Sequence, residues 1–200
     1  MHGNIISQLR AHCQVMAAVE RELTPRIAET VALLAETFRG GNKLLIMGNG
    51  GSAADAQHLA AEIVGRFKME RRALPAIALT TDSSILTALG NDYGFDAVFT
   101  RQIEALALPG DLVLGISTSG SSPNVAAALK LARSLGCRTV GLLGRDGGTI
   151  APLVELSLIV PSRETPRIQE GHITIIHILC DLLEQELFGD ALSIPGGCCG

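Results

Sequence analysis

Lys43-Leu44-Leu45-Ile46-Met47-Gly48-Asn49-Gly50-Gly51-Ser52 runs straight into Ala53-Ala54-Asp55-Ala56-Gln57-His58-Leu59-Ala60-Ala61-Glu62, and this join decides the fold. The short apolar run reads as a buried strand, and the Ala-rich run after the glycines reads as a helix. A glycine turn and the Ser52 hydroxyl therefore sit where strand passes to helix. Free N–H groups and the positive end of the dipole make such a helix start attractive to anions. His58 and Glu62, four residues apart, share one face of that helix. The segment predicts an anion grip beside an acid/base or metal pair.

Working outward, strand and helix signals alternate after residue 42. Apolar runs at 43–47, 76–79, 111–116, 138–143 and 156–160 read as strands, with helical stretches at 53–67, 83–90, 95–107, 123–135 and 167–188. Such alternation predicts an α/β fold: one doubly wound domain, a parallel five-stranded sheet sandwiched by helices. Ligands of such sheets bind beyond the carboxyl ends of the strands, which places the loops 48–52, 80–83 and 117–122 on one rim. Ahead of the first strand, residues of about 4–22 have helical apolar spacing, and Thr24-Pro25 reads as a fresh start with Thr24 as N-cap, ending at Gly40-Gly41. This predicts two N-terminal helices in an arm over 1–41 that makes subunit contacts, a domain over 42–190, and a flexible tail over 191–200.

Apolar residues make up 47% and charged residues 18%, enough for a sizeable core, while aromatics are only 3% with no Trp. The core must therefore be built from Ala, Leu, Ile and Val, which suits a sheet covered on both faces. A net charge of −4 argues against a nucleic-acid or anionic-membrane surface. Five cysteines without metal-type spacing, no signal peptide and no bilayer-length apolar run give the expectation of a reduced, cytoplasmic protein. No role is assigned to the vicinal Cys198 and Cys199.

The loop Ser117-Thr118-Ser119-Gly120-Ser121-Ser122 follows a strand and precedes Pro123, with Ser122 read as N-cap. Its five hydroxyls and its N–H groups suit a phosphate, and it holds no Lys or Arg. A Walker loop is excluded by the missing Gly-Lys-Ser/Thr ending, and a dinucleotide fingerprint by the missing third spaced glycine. A sugar phosphate fits better than a nucleotide. In the last helix, Arg167-Ile168-Gln169-Glu170-Gly171-His172-Ile173-Thr174-Ile175-Ile176-His177 sets polar groups among isoleucines. Gln169 and His177 lie on neighbouring stripes, Glu170 and His177 also align, and His172 points elsewhere. Periodicity does not decide which of them meets His58 and Glu62. If they converge, a divalent metal site, zinc by the preference of imidazole, competes with metal-free acid/base chemistry.

Together, Gly48-Asn49-Gly50-Gly51-Ser52, Gln57-His58-Leu59-Ala60-Ala61-Glu62, Gly90-Asn91-Asp92, Gly115-Ile116-Ser117-Thr118-Ser119-Gly120 and Arg167-Ile168-Gln169-Glu170 resemble the phosphoheptose isomerases of the sugar isomerase (SIS) domain superfamily. The likeness runs to about residue 188. It implies a homotetramer converting sedoheptulose 7-phosphate to D-glycero-D-manno-heptose 7-phosphate, the first step toward nucleotide-activated heptose for lipopolysaccharide or other surface glycans. It implies one zinc per subunit on His58, Glu62, Gln169 and His177, and phosphate on Ser52, Ser117, Thr118, Ser119 and Ser122. It implies sugar contacts from Asn49 and Asp92, with Gly50, Gly51 and Asn91 beside them and Glu62 and Gln169 reaching the substrate as well. The chemistry moves a carbonyl from C2 to C1 through an enediol, with Glu62 expected as the carbon base and His177 as the oxygen proton shuttle. Pro166 departs from relatives with an acidic residue there.

Three other readings compete. A non-catalytic SIS protein that binds the replication initiator DnaA is disfavoured by the complete His58, Glu62 and His177 set. An isomerase of another sugar phosphate is poorly separated by sequence. A sugar-sensing transcription regulator lacks a helix-turn-helix pattern here.

Overall fold

The computed structural model describes residues 1–189. The tail expected at 191–200, with Cys198 and Cys199, lies outside the described residues. Five strands, β1 (Leu44–Gly48), β2 (Ala76–Ala78), β3 (Leu112–Ser117), β4 (Arg138–Gly144) and β5 (Leu156–Val160), form one sheet. All pairs are parallel and the order is β2-β1-β3-β4-β5. The chain winds outward from β1 in both directions, so the switch point lies between β1 and β3. At this point the crevice at the strand ends opens.

The two-residue period of a strand sorts each apolar run between two faces. Leu44, Ile46, Leu112, Leu114, Ile116, Leu142 and Val160 pack on one face against α1 (His2–Arg39), α2 (Gly51–Val64) and α6 (Thr165–Phe188). Leu45, Met47, Val113 and Leu143 pack on the other face. There they meet Val98, α4 (Thr100–Leu106) and α5 (Pro123–Ser134). Among the described residues no helix is long and apolar enough to cross a membrane.

The N-terminal expectation needs correction. One continuous helix, α1, replaces the two predicted helices, and Pro25 lies inside it. Thr24 is not an N-cap; its hydroxyl donates to the Glu20 carbonyl at 2.6 Å. Pro in a helix interior costs roughly 3 kcal/mol. Against it, Val19, Leu23, Ile27, Val31, Leu34 and Phe38 form an unbroken buried stripe across the proline. Each buried aliphatic side chain stabilises by about 1.5–3 kcal/mol, so the stripe outweighs the missing hydrogen bond. The end near Gly40-Gly41 is as expected, with Gly41 at φ 77.

α3 (Ser83–Tyr93) is different: it has no buried residue, and Ile85, Tyr93 and nearby Phe95 are exposed.

Candidate active site

The turn after β1 is shaped by glycine. Gly50 has φ 58 and ψ −122, a region closed to other residues, and a Cβ at Gly48 would lie 2.6 Å from the Ser52 carbonyl oxygen. The helix start is thereby drawn against the strand end, and Ser52 is buried at 3% exposure. The turn is tied to the β3 side by two side-chain amides. Asn49 Nδ2 donates to Asn124 Oδ1 at 2.9 Å, and Asn124 Nδ2 donates back to Asn49 Oδ1 at 3.0 Å. Asn124 carried no sequence signal; it sits just inside α5 and is 1% exposed.

The serine loop after β3 forms a hydroxyl cluster. Ser117 Oγ lies 2.9 Å from Ser122 Oγ and 3.4 Å from Ser119 Oγ, and Ser119 Oγ accepts from the Ser121 N–H at 3.2 Å. Ser122 precedes α5 as expected, but its side chain makes no cap bond; the hydroxyl turns to Ser117 instead. Arg145 and Arg163, together with Asp146, line a cavity of about 470 Å³ with Ser119 and Ser121, so two cations and one carboxylate border a loop that has no charge of its own.

The acid/base groups come from α2 and α6, which pack together. His58 Nε2 lies 3.1 Å from Glu62 Oε1. The His177 ring meets the His58 ring edge-on, with centroids 5.2 Å apart and planes at 72°. Gln169 lines a cavity of about 350 Å³ with Gly51, Ala54, Asp55, His58, Glu170 and Ile173. Gly51 leaves room for this side chain: a Cβ there would overlap Gln169 Nε2 and stand 3.1 Å from Gln169 Cδ. So the structure sets His58 against both Glu62 and His177, and places Gln169 in the cavity that His58 lines. Glu170, the competing candidate, lines the same cavity but is paired: it bonds His12 Nδ1 at 2.8 Å and Arg167 Nη2 at 2.6 Å. His172 is a core residue whose Nε2–H donates to the Leu143 carbonyl at 2.9 Å. Asn91 and Asp92 bond each other at 2.7 Å on the exposed end of α3, and neither lines the cavity beside His58.

Whether this set suits a metal can be judged from its donors. Two imidazoles and a carboxylate are the ligand class of catalytic zinc. Ligand atoms about 2.0–2.1 Å from one tetrahedral ion stand roughly 3.3 Å apart. The 3.1 Å between His58 Nε2 and Glu62 Oε1 is close to that separation. Among the described residues no three His, Cys, Asp or Glu groups already converge on one point. Completing a set therefore takes a shift of side chains around the His58–Glu62 pair. One acidic atom nearby lacks a partner: Asp55 Oδ2 is buried without a hydrogen bond, and burial holds this carboxyl above its usual range against the pull of His58. Thiol chemistry is disfavoured, since burial, aided by Glu62 and Glu184, pushes Cys180 up to about 12.

A model of the SIS domain family matches residues 9–144, more than half of the chain. Phosphoheptose isomerases of Geobacter sp. (strain M21) and Geobacter metallireducens are 70% and 71% identical over 188 residues. In each case 94% of this chain is covered, with 98% and 100% of the relative. The chain belongs to the phosphoheptose isomerases of the SIS domain family. Solved phosphoheptose isomerase structures agree with it in fold. The one from Neisseria gonorrhoeae is 42% identical with a TM-score of 0.88, and the one from Francisella tularensis is 34% identical with a TM-score of 0.87. Both cover 92% of this chain and 98% of their own.

Proposed function

We propose that this phosphoheptose isomerase converts sedoheptulose 7-phosphate into D-glycero-D-manno-heptose 7-phosphate, the first step toward nucleotide-activated heptose for lipopolysaccharide or another surface glycan. The observation that supports this reading is the contact of His58 on α2 with both Glu62 and His177, in a chain 70% identical to a phosphoheptose isomerase over 188 residues. Ser52, Ser117, Thr118, Ser119 and Ser122 hold the phosphate, aided by the N-terminal dipole of α5. Asn49, Gly50 and Gly51 are assigned to the sugar chain, and Asn91 and Asp92, exposed on α3 away from the cavity beside His58, would contact it only from a neighbouring copy. Fixing the phosphate end places C1 and C2 at the α2–α6 groups, the proximity on which proton transfer depends.

Glu62 takes the proton from C1 and returns one to C2, with an enediol between the two transfers. His177 carries a proton between the oxygens on those carbons as the carbonyl moves from C2 to C1. His58, Glu62, Gln169 and His177 would hold one zinc ion per subunit. When bound, zinc supplies positive charge that orients the substrate oxygens and stabilises the enediolate. A cytoplasmic homotetramer is the expected form. Exposed Ile5, Ile6 and Leu9 on α1, and Ile85, Tyr93 and Phe95 at α3, are apolar surfaces suited to cover by further copies.

The test is turnover of sedoheptulose 7-phosphate by Glu62→Gln and His177→Gln, followed by NMR. Loss of turnover in both supports the assignments; near wild-type turnover in either one removes that residue's role. Metal analysis of protein purified without chelator checks zinc separately, and metal-free protein with undiminished turnover refutes it.

A further inference from the structure

Arg71 and Glu184 form a salt bridge outside the cavity beside His58, each side chain 2% exposed, with Nε 3.0 Å from Oε1. A buried ion pair is weak evidence for stability, so its use must be sought in what it holds. Nearly all its bonds go to the end of α2 and the loop that follows. Glu184 accepts the N–H groups of Phe67, Lys68 and Met69 at 2.9, 2.8 and 2.8 Å. Arg71 donates to the carbonyls of Glu62 at 2.8 Å, Ile63 at 2.9 Å, and Gly65 and Arg72 at 3.1 Å. Burial opposes the charge on Glu184, but those N–H groups and the guanidinium outweigh it and hold the carboxyl below its usual range.

Glu184 lies two helical turns beyond His177 on α6. The loop it anchors delivers Phe67 onto that imidazole: the rings stack with centroids 5.5 Å apart and planes at 26°. Lys68 covers the Phe67 ring at 5.4 Å and bonds Asp181 of α6 at 2.7 Å. Closing the end of α2 accounts for the carbonyl bonds of Arg71, but not for an aromatic ring laid on His177.

We infer that Phe67, held in place by the Arg71–Glu184 pair, is a positioning residue that fixes the plane of the His177 imidazole. This rests on His177 as the proton shuttle and metal ligand. The χ2 torsion of histidine is broad, and the edge-on His58 ring touches only one side of His177, so without the Phe67 stack the ring has more room to swing. A shuttle and a ligand both need the ring nitrogens aimed.

The experiment compares full-length Phe67→Leu, Phe67→Tyr and His177→Gln. It reads kcat and KM for sedoheptulose 7-phosphate, zinc affinity by chelator competition, and the thermal midpoint. Phe67→Leu should lower kcat and zinc affinity by about tenfold each, a loss typical of removing a ligand's supporting partner. KM should stay within about twofold, and Phe67→Tyr, which keeps the ring, should restore both quantities. In a His177→Gln background, Phe67→Leu should weaken zinc no further. If His177→Gln is inactive while Phe67→Leu keeps wild-type kcat and zinc affinity, the inference is overturned and the catalytic reading stands. If His177→Gln turns over normally, both fall. An equal loss of zinc affinity with and without His177 also overturns the inference, because the effect then bypasses the imidazole.

Discussion

Gly51→Ala separates site geometry from stability more sharply than any ligand substitution. Gly51 is the first residue of α2, and its φ is not in the left-handed region, so the backbone accepts alanine. Alanine is the better helix former by up to about 1 kcal/mol in a helix interior, so the fold loses nothing from propensity. The methyl, however, would overlap Gln169 Nε2 and stand 3.1 Å from Cδ. Ordinary contact is about 3.5–4.0 Å, so the amide must retreat by roughly 1 Å. Gln169 is a flexible side chain and can yield, which keeps the cost to stability small. A metal ligand tolerates only about 0.2 Å, and a misplacement of 1 Å near the chemistry costs on the order of a hundredfold. The variant should therefore melt within about 2–4 °C of wild type, the shift produced by 1 kcal/mol in a chain of this size. It should bind zinc at least about tenfold more weakly and lose about a hundredfold in kcat/KM. Calorimetry, chelator competition and NMR-followed turnover give the three values at one protomer concentration. Wild-type zinc affinity and turnover in a well-folded Gly51→Ala protein would refute the placement of Gln169 in the site.

Asn124→Ala leaves the amide of Asn49 without its partner across the switch point; the expected cost is about 1–3 kcal/mol, read as a lower melting temperature together with a raised KM. Ser119→Ala removes one hydroxyl from the phosphate cluster. A hydrogen bond to a charged group contributes about 1.5–3 kcal/mol, so KM should rise about ten- to a hundredfold with the melting temperature nearly unchanged. Burial pushes the His172 imidazole from its ordinary 6.5 down to about 4, against the bond to the Leu143 carbonyl. The unfolded chain thus takes up this proton first as pH falls. The contribution is whole above pH 6.5 and lost toward pH 4, about 3 kcal/mol in all. His172→Gln, which keeps an N–H for Leu143, should flatten that stretch of the pH–stability curve; denaturant melts between pH 7 and pH 4.5 that keep the wild-type slope would contradict this.

The sheet was legible because its strands are short apolar runs set off by glycines and loops, and because parallel strands buried on both faces need no alternation to be seen. The rim followed from topology, which puts Asn49, Ser52 and Ser117 at strand ends whatever the packing details. Pro25 reads as a helix start by local propensity, and the buried stripe from Val19 to Phe38 overrides that propensity. Ser122 reads as a cap, but a hydroxyl that can cap a helix can equally join a cluster, and here it bonds Ser117 rather than the helix N–H groups. The meeting of α2 and α6 was beyond periodicity, which gives the faces of each helix but not which faces touch. The support of His177 was less legible still. Phe67 and Arg71 lie in an aperiodic loop, and Arg71 finds its carboxylate 113 residues away on a helix whose pattern reads as core.

The central claim is proton transfer through an enediol by Glu62 and His177. It is tested most directly by running the isomerisation of sedoheptulose 7-phosphate in D2O and reading the product by NMR. The account predicts deuterium at C2 of the aldose formed by the wild-type protein, and neither product nor exchange of the C1 hydrogens with Glu62→Gln. Product with no deuterium at C2 in any fraction, the mark of a direct hydride shift, or Glu62→Gln that exchanges and turns over like the wild type, would contradict it.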